Sequence, residues 1–155
     1  MIRVTRVRRL EPIGLSDAFD YVVDFDHIGE WDPGVARSRR LDGASLEIGS
    51  RHEVDSVFFG RQLPLVYELT ESAPPDRAIL KTTSRRFDAT DTIELTAAGS
   101  TATTIRYSVE FRFKGIMRLA EPFMGRALSR VVEKALDGLQ ATIAARSETT
   151  QVEGE

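Results

Sequence analysis

Hydrophobic and polar residues alternate along much of the chain, most cleanly over residues 101–113. There Ile105, Tyr107 and Val109 share one face, while the intervening positions are charged or hydroxylated. This period of two is typical of a strand with one dry side. Similar segments follow one another with turn residues between them, which favours an antiparallel meander. The pattern predicts seven strands: residues 2–10, 35–42, 50–59, 62–72, 76–84, 87–98 and 101–113.

Three other stretches have the spacing of helices. The segment LSDAFDYVVDF predicts a helix capped by Ser16, because serine is a preferred N-cap. A short second helix is expected over residues 26–30, before a turn at residues 32–34. A wide apolar band over residues 116–145 predicts a long C-terminal helix, in which Pro122 either introduces a kink or marks the first turn.

These elements form one α+β domain over residues 1–146. A sheet with one apolar face must cover that face, and the long helix carries the only matching apolar band. We therefore expect a seven-stranded antiparallel sheet wrapped around the C-terminal helix, with two short helices between the first two strands. Room between a bent sheet and a helix is usually a pocket. The polar residues 147–155 are expected to form a disordered tail.

Strand phase brings a few polar side chains to the predicted concave face. An unpartnered buried polar group costs on the order of 1–3 kcal/mol, so these groups should meet one another, water or a ligand. His52, Tyr67, Asp91 and Tyr107 are the candidates for acid–base chemistry. A structural role stays open, since a slip of one residue reverses a face. The predicted ligand-binding set is Trp31, His52, Ser56, Phe58, Leu65, Tyr67, Leu80, Thr82, Asp91, Ile93, Tyr107, Phe111, Met124 and Leu128.

Composition narrows the function classes. The chain has no cysteine and two histidines, which excludes a disulfide framework, a thiol nucleophile and a His-rich metal site. We expect no metal and no cofactor. The net charge of -3 argues against nucleic-acid binding, and no apolar run approaches the roughly 20 residues of a membrane helix. A cytoplasmic location is expected.

The chain contains four further recognisable segments, AFDYVVDFDHIGEWDPGV, IGSRHEV, PLVYEL and STATTIRYSVEFRFKG, before its final amphipathic helix. Together they resemble the START/Bet v 1-like superfamily, also called SRPBCC, in its polyketide cyclase/dehydrase-like branch. The resemblance implies the helix-grip fold. It also implies that Trp31, the only tryptophan, closes the corner between the second short helix and the second strand and is mostly buried.

Three functional interpretations remain. The leading one is a protein that binds a hydrophobic or aromatic small molecule in a cavity between sheet and C-terminal helix. The second, implied by the resemblance, is an enzyme similar to polyketide cyclases or dehydratases, with its acid or base among the four candidates. The third is a protein-interaction module, which would expose an apolar patch instead of enclosing one. A homodimer is compatible with each interpretation.

Overall fold

The protein forms one seven-stranded antiparallel sheet in the computed structural model, which describes residues 1–153, with side chains through residue 149. The sheet order is β1-β7-β6-β5-β4-β3-β2. All seven predicted strands are present, with ends displaced by at most two residues. Their bounds are β1 Ile2–Leu10, β2 Val35–Asp42, β3 Arg51–Phe58, β4 Arg61–Ala73, β5 Arg77–Thr83, β6 Phe87–Ala97 and β7 Thr103–Phe113.

The chain returns to its beginning at the last strand. Strands β2 to β7 pair in sequence order, and β7 then pairs with β1, from Ile2 opposite Phe111 to Leu10 opposite Thr103. Strands β1 and β2 are therefore the two edges of the sheet. The connection between them carries the short helices.

The first two helices lie close to their predicted positions. Helix α1 spans Leu15–Val23, and its N-cap is Gly14 and not the predicted Ser16. The helix begins earlier because the Ala18 amide already donates to the Gly14 carbonyl oxygen at 2.9 Å. A 3₁₀ turn at Phe25–His27 leads into helix α2, Ile28–Trp31.

The C-terminal helix α3 spans Glu121–Glu153 and follows a 3₁₀ turn at Gly115–Leu119. Pro122 lies in its first turn, where a missing amide hydrogen breaks no helical hydrogen bond. The helix continues through residues 147–153, where the composition predicted a disordered tail. This stretch is polar but contains neither glycine nor proline to end a helix. Residues 154 and 155 lie outside the described part of the chain.

The apolar face of α3 lies against the concave side of the sheet. Leu128, Val132, Leu136, Leu139 and Ile143 recur at helical spacing and are all buried. The predicted wrapping of the sheet around the C-terminal helix is thus confirmed. Among the described residues, no helix is both long and apolar enough to cross a membrane.

A glycine allows a close approach of α3 to the rest of the fold. At Gly138, an added Cβ would lie 2.1 Å from the Trp31 carbonyl oxygen and 3.1 Å from Pro33 Cδ. Real side chains essentially never approach so closely, so α3 contacts the α2–β2 corner through its bare backbone. This contact fixes the position of the corner that carries Trp31 and Asp32.

Candidate functional site

An inner chamber of about 70 Å³ lies between the sheet, the α2–β2 corner and α3. It is smaller than the roughly 300–1,000 Å³ of most small-molecule sites, although it exceeds the roughly 30 Å³ share of one water. Its walls are mainly apolar. The lining residues are Ile28, Trp31, Asp32, Gly34, Val35, Val54, Ser56, Val57, Phe58, Tyr67, Asp91, Tyr107, Val109, Phe111, Val131, Val132, Ala135 and Leu136.

Two predicted candidates meet in this chamber. The Tyr107 hydroxyl donates a hydrogen bond of 2.6 Å to Asp91 Oδ2. Asp91 is only 6% exposed, and its other oxygen, Oδ1, has no hydrogen-bond partner. Tyr67 lines the same chamber from β4. The expected contact between two of the inward polar groups is therefore present, and one carboxylate oxygen is left available.

Burial sets the protonation of these groups. Desolvation raises the pKa of Asp91 to about 7, against the opposing effect of the Tyr107 hydrogen bond and with a further contribution from the charge of Asp32. The pKa values of Tyr67 and Tyr107 are raised well above 10, again mainly by burial. Both phenols are thus neutral donors near neutral pH, whereas Asp91 exchanges its proton there.

Asp32 is the functional candidate that sequence reasoning missed. It lines the inner chamber, and burial raises its pKa to about 6 while the hydrogen bond from the Gly34 amide lowers it. That hydrogen bond, 2.8 Å to Asp32 Oδ1, is the usual one of an aspartate that begins a turn. The Asp-Pro-Gly sequence predicted the turn, but gave no signal that its carboxyl group faces a chamber.

Trp31 is both a corner residue and a chamber wall. It is 3% exposed, which confirms the predicted burial, and its ring meets that of Tyr107 edge-to-face with centroids 6.5 Å apart. The indole Nε1 is buried without a hydrogen-bond partner. An indole N–H normally has a partner when buried, so this donor and Asp91 Oδ1 are two unsatisfied groups in the wall of one chamber.

An outer chamber of about 340 Å³ adjoins the inner one at the start of α3. Phe58 and Phe111 line both chambers and form the wall between them. The predicted liners Met124 and Leu128 belong to the outer chamber. Its complete lining is Phe58, Phe59, Arg61, Gln62, Leu63, Arg86, Phe87, Phe111, Phe113, Met117, Met124 and Leu128.

Large apolar side chains stand exposed near the outer chamber. Ile116, Leu119 and Phe123 are 75–85% exposed and neighbour the chamber residues Met117 and Met124 along the chain. The fold thus encloses an apolar chamber and also presents apolar side chains beside it.

Five members of the predicted ligand-binding set line neither chamber. They are buried elsewhere on the sheet: His52, Leu65, Leu80, Thr82 and Ile93. The strand phase that turned them inward was correct. Alternation fixes the face of a sheet, but it does not show how far along each strand the free space extends.

His52 belongs to a charge cluster with Asp24 and Asp26 at the 3₁₀ turn Phe25–His27. Its Nε2 lies 2.7 Å from Asp26 Oδ1 and 3.6 Å from Asp24 Oδ1. The three side chains could together contact a metal ion, but the Arg40 guanidinium also bonds Asp26 and lies 3.7 Å from Asp24. Since this cation already offsets the carboxylate charge, we interpret the cluster as structural, separate from the chamber that holds Asp91.

The sheet, the gripped helix and the chamber between them define a helix-grip fold of the START/Bet v 1 type. The chain belongs to the family described as "Polyketide cyclase / dehydrase and lipid transport", which it matches over residues 1–144. No curated protein matches the sequence.

Solved structures share this fold at low sequence identity. A protein from Thermus thermophilus has a TM-score of 0.78 at 15% identity, covering 94% of this chain and 99% of that one. A START superfamily protein from Mycobacterium smegmatis has a TM-score of 0.73 at 12% identity, covering 96% of this chain and 98% of that one. The di-domain ARO/CYC BexL from the BE-7585A biosynthetic pathway has a TM-score of 0.74 at 11% identity, covering 93% of this chain and 47% of that one. At such identities the likeness establishes the fold alone.

Proposed function

We propose that the protein binds a hydrophobic or aromatic small molecule across the two chambers. The apolar body occupies the outer chamber and a polar end reaches the inner one. The proposal rests on one observation: a mainly apolar chamber of about 340 Å³ shares the Phe58–Phe111 wall with an inner chamber whose lining residues include two buried polar atoms without partners, Trp31 Nε1 and Asp91 Oδ1. Each such atom costs roughly 1–3 kcal/mol until a ligand or water satisfies it.

The size and chemistry of the chambers support this function. The outer volume falls within the range of small-molecule sites, and Met117 and Met124 supply adaptable walls. Movement of Phe58 or Phe111 would join the two chambers. The family description includes lipid transport, and a structural relative is an ARO/CYC protein; both descriptions are compatible with a hydrophobic ligand.

Titration with Nile red, an uncharged fluorescent dye, tests the proposal. We expect saturable binding that Met124→Trp weakens, because the larger side chain fills the outer chamber. The matched control is Ile48→Trp, which places the same indole at an exposed position outside both chambers. Dye binding that the two variants affect equally would assign the signal to exposed apolar surface and reject the chamber.

A second candidate function is a cyclase- or dehydratase-like enzyme, favoured by the Asp91 carboxyl. A pKa of about 7 suits a group that accepts and returns a proton near neutral pH. In such a reaction Asp91 would remove a proton next to a substrate carbonyl, and the Tyr67 hydroxyl would donate to the carbonyl oxygen as negative charge develops there.

The enzyme hypothesis requires turnover that depends on Asp91. With a polyketide-type substrate, Asp91→Asn is expected to lower kcat by about 100-fold or more, the usual contribution of a positioned acid or base. The rate should rise with pH through about 7, because the carboxylate is the active form. Turnover that survives in Asp91→Asn would leave ligand binding as the better account.

A further inference from the structure

The described lining of the inner chamber includes acidic side chains and no lysine, arginine or histidine. Asp91 and Asp32 both line it, and among residues 1–149 no lysine, arginine or histidine does. Two arginines, Arg61 and Arg86, line the outer chamber instead. The remaining titratable groups that face Asp91 are Tyr67 and Tyr107, and α3 contributes only apolar side chains. Within the described part of the chain, no group in this chamber can offset a carboxylate charge.

Aromatic rings surround the same space. Trp31, Tyr67 and Tyr107 all line the inner chamber. Aromatic faces attract cations, and the attraction grows when the cation is removed from water. Two carboxyl groups among three electron-rich rings are therefore complementary to a positive charge. The arrangement opposes an anionic group at the same position.

The unsatisfied oxygen of Asp91 points to the same conclusion. Asp91 is only 6% exposed, and Oδ1 has no partner although Tyr107 bonds Oδ2. A buried ionised carboxylate is stable only when it is paired. An ammonium group has several N–H donors and a full charge, so it would satisfy Oδ1 and neutralise the carboxylate at once.

We infer that the ligand is an amphiphilic amine, whose ammonium group binds in the inner chamber with Asp91 and Asp32 and whose apolar body extends past Phe58 and Phe111 into the outer chamber. This inference rests on the proposed binding function and names its ligand class. An oxygen atom beside the amine, as in an amino alcohol, would accept a hydrogen bond from Trp31 Nε1, which has no partner in the protein.

Three compounds of one chain length test the choice of head group: octylamine, octanol and octanoate. In calorimetric titrations octylamine is expected to bind at least about tenfold more tightly than octanol, and octanoate more weakly than either, since a buried pair of opposite charges is stronger than a neutral hydrogen bond. Asp91→Asn should remove the preference for the amine. Glu94→Gln, on the exposed face of the same strand, should preserve it.

The protonation of the carboxyl groups supplies an independent measurement on the unmodified protein. Octylamine stays protonated, like lysine with its pKa of about 10.4. Ionisation of Asp32 and Asp91 should therefore strengthen amine binding as the pH rises from about 5 to about 8, with no such change for octanol. Titration of octylamine near pH 7 in buffers of different ionisation enthalpy should show proton release.

Each outcome decides between the two proposals. Octanol or octanoate binding as tightly as octylamine, or a preference for the amine that survives in Asp91→Asn, would overturn the amine while leaving a hydrophobic site in place. Failure of all three compounds and of Nile red to bind saturably would overturn the binding function itself. If Asp91→Asn does not fold, Asp32→Asn and proton release by the unmodified protein provide the same test.

Discussion

Asp91 links the candidate site to the pH dependence of stability. Its pKa is raised from 3.8 to about 7 in the folded protein, chiefly by burial. Between these two values the folded state keeps a proton that the unfolded chain has lost, so stability falls as pH rises. The decrease is complete above about pH 7, where both states are ionised. The pKa of Asp32 is raised to about 6, so this group changes the stability in the same direction.

Asp91→Asn should therefore stabilise the protein at high pH and much less at low pH. The amide can still accept from Tyr107 but never ionises. We expect its gain over the unmodified protein to reach a few kcal/mol at about pH 8 and nearly to vanish at about pH 4. Thermal melts across this range test the difference, with Glu94→Gln as the control. A pH-independent difference would mean that Asp91 is not desolvated.

Trp31 combines two roles that two substitutions can separate. Trp31→Ala is expected to cost about 3–5 kcal/mol, because it removes a buried ring and leaves a cavity. Trp31→Phe keeps most of the bulk and removes an N–H that has no partner in the protein, so its cost should be smaller than about 2 kcal/mol. Denaturant unfolding measures both values. A loss as large for phenylalanine as for alanine would show that the corner requires the whole indole and that an aromatic ring of smaller size does not suffice.

The site residues show what a sequence can and cannot predict at this scale. Alternation along β6 and β7 turned Asp91 and Tyr107 to the concave face, because strand phase depends on neighbouring residues alone. Asp32 could not be found in this way, since it lies in a turn with no repeating pattern. His52 was placed on the correct face. Its interactions could not be predicted, because its partners Asp24 and Asp26 lie at a 3₁₀ turn far away in the sequence.

Among the elements, α3 provides a matched pair of glycines. Gly138→Ala should destabilise the protein by about 1–3 kcal/mol, because its Cβ would overlap the Trp31 carbonyl oxygen at 2.1 Å. Gly125→Ala lies in the same helix with nothing within 4 Å of its Cβ. Alanine there should stabilise by up to about 1 kcal/mol. Thermal melts compare the two, and equal effects would contradict the close packing at Gly138.

The ends of the elements were predicted less well than their existence. Hydrophobic period marks a helix or strand over many residues, whereas an end depends on a few hydrogen bonds. Gly14 replaced Ser16 as the cap of α1 because one backbone hydrogen bond began the helix earlier. The apolar period also did not reveal how far α3 extends. Residues 147–153 are mostly polar, but they contain no helix-breaking residue and continue the helix.

For the whole molecule, the order of the elements was sufficient to predict the architecture. Short turns forced neighbouring strands to pair, and only one helix had an apolar face wide enough to cover the sheet. The size and division of the cavity were not predictable, because they depend on the rotamers of Phe58 and Phe111 and on how closely α3 approaches. That approach is determined at Gly138, a residue with no side chain to leave a pattern.

The contact at Gly138 fixes the middle of α3 against the α2–β2 corner. From Leu128 onward the helix has buried side chains on both sides of this contact, whereas Phe123, near its start, is 85% exposed. Opening motions should therefore swing the first turns away from the sheet and widen the outer chamber, while the inner chamber keeps its shape. Amide hydrogen exchange should be faster over residues 123–127 than over residues 136–143, and a bound ligand should slow mainly the former. If the proposed function holds, the outer chamber would accept apolar groups of different bulk while the inner chamber would bind the same kind of polar end in each ligand.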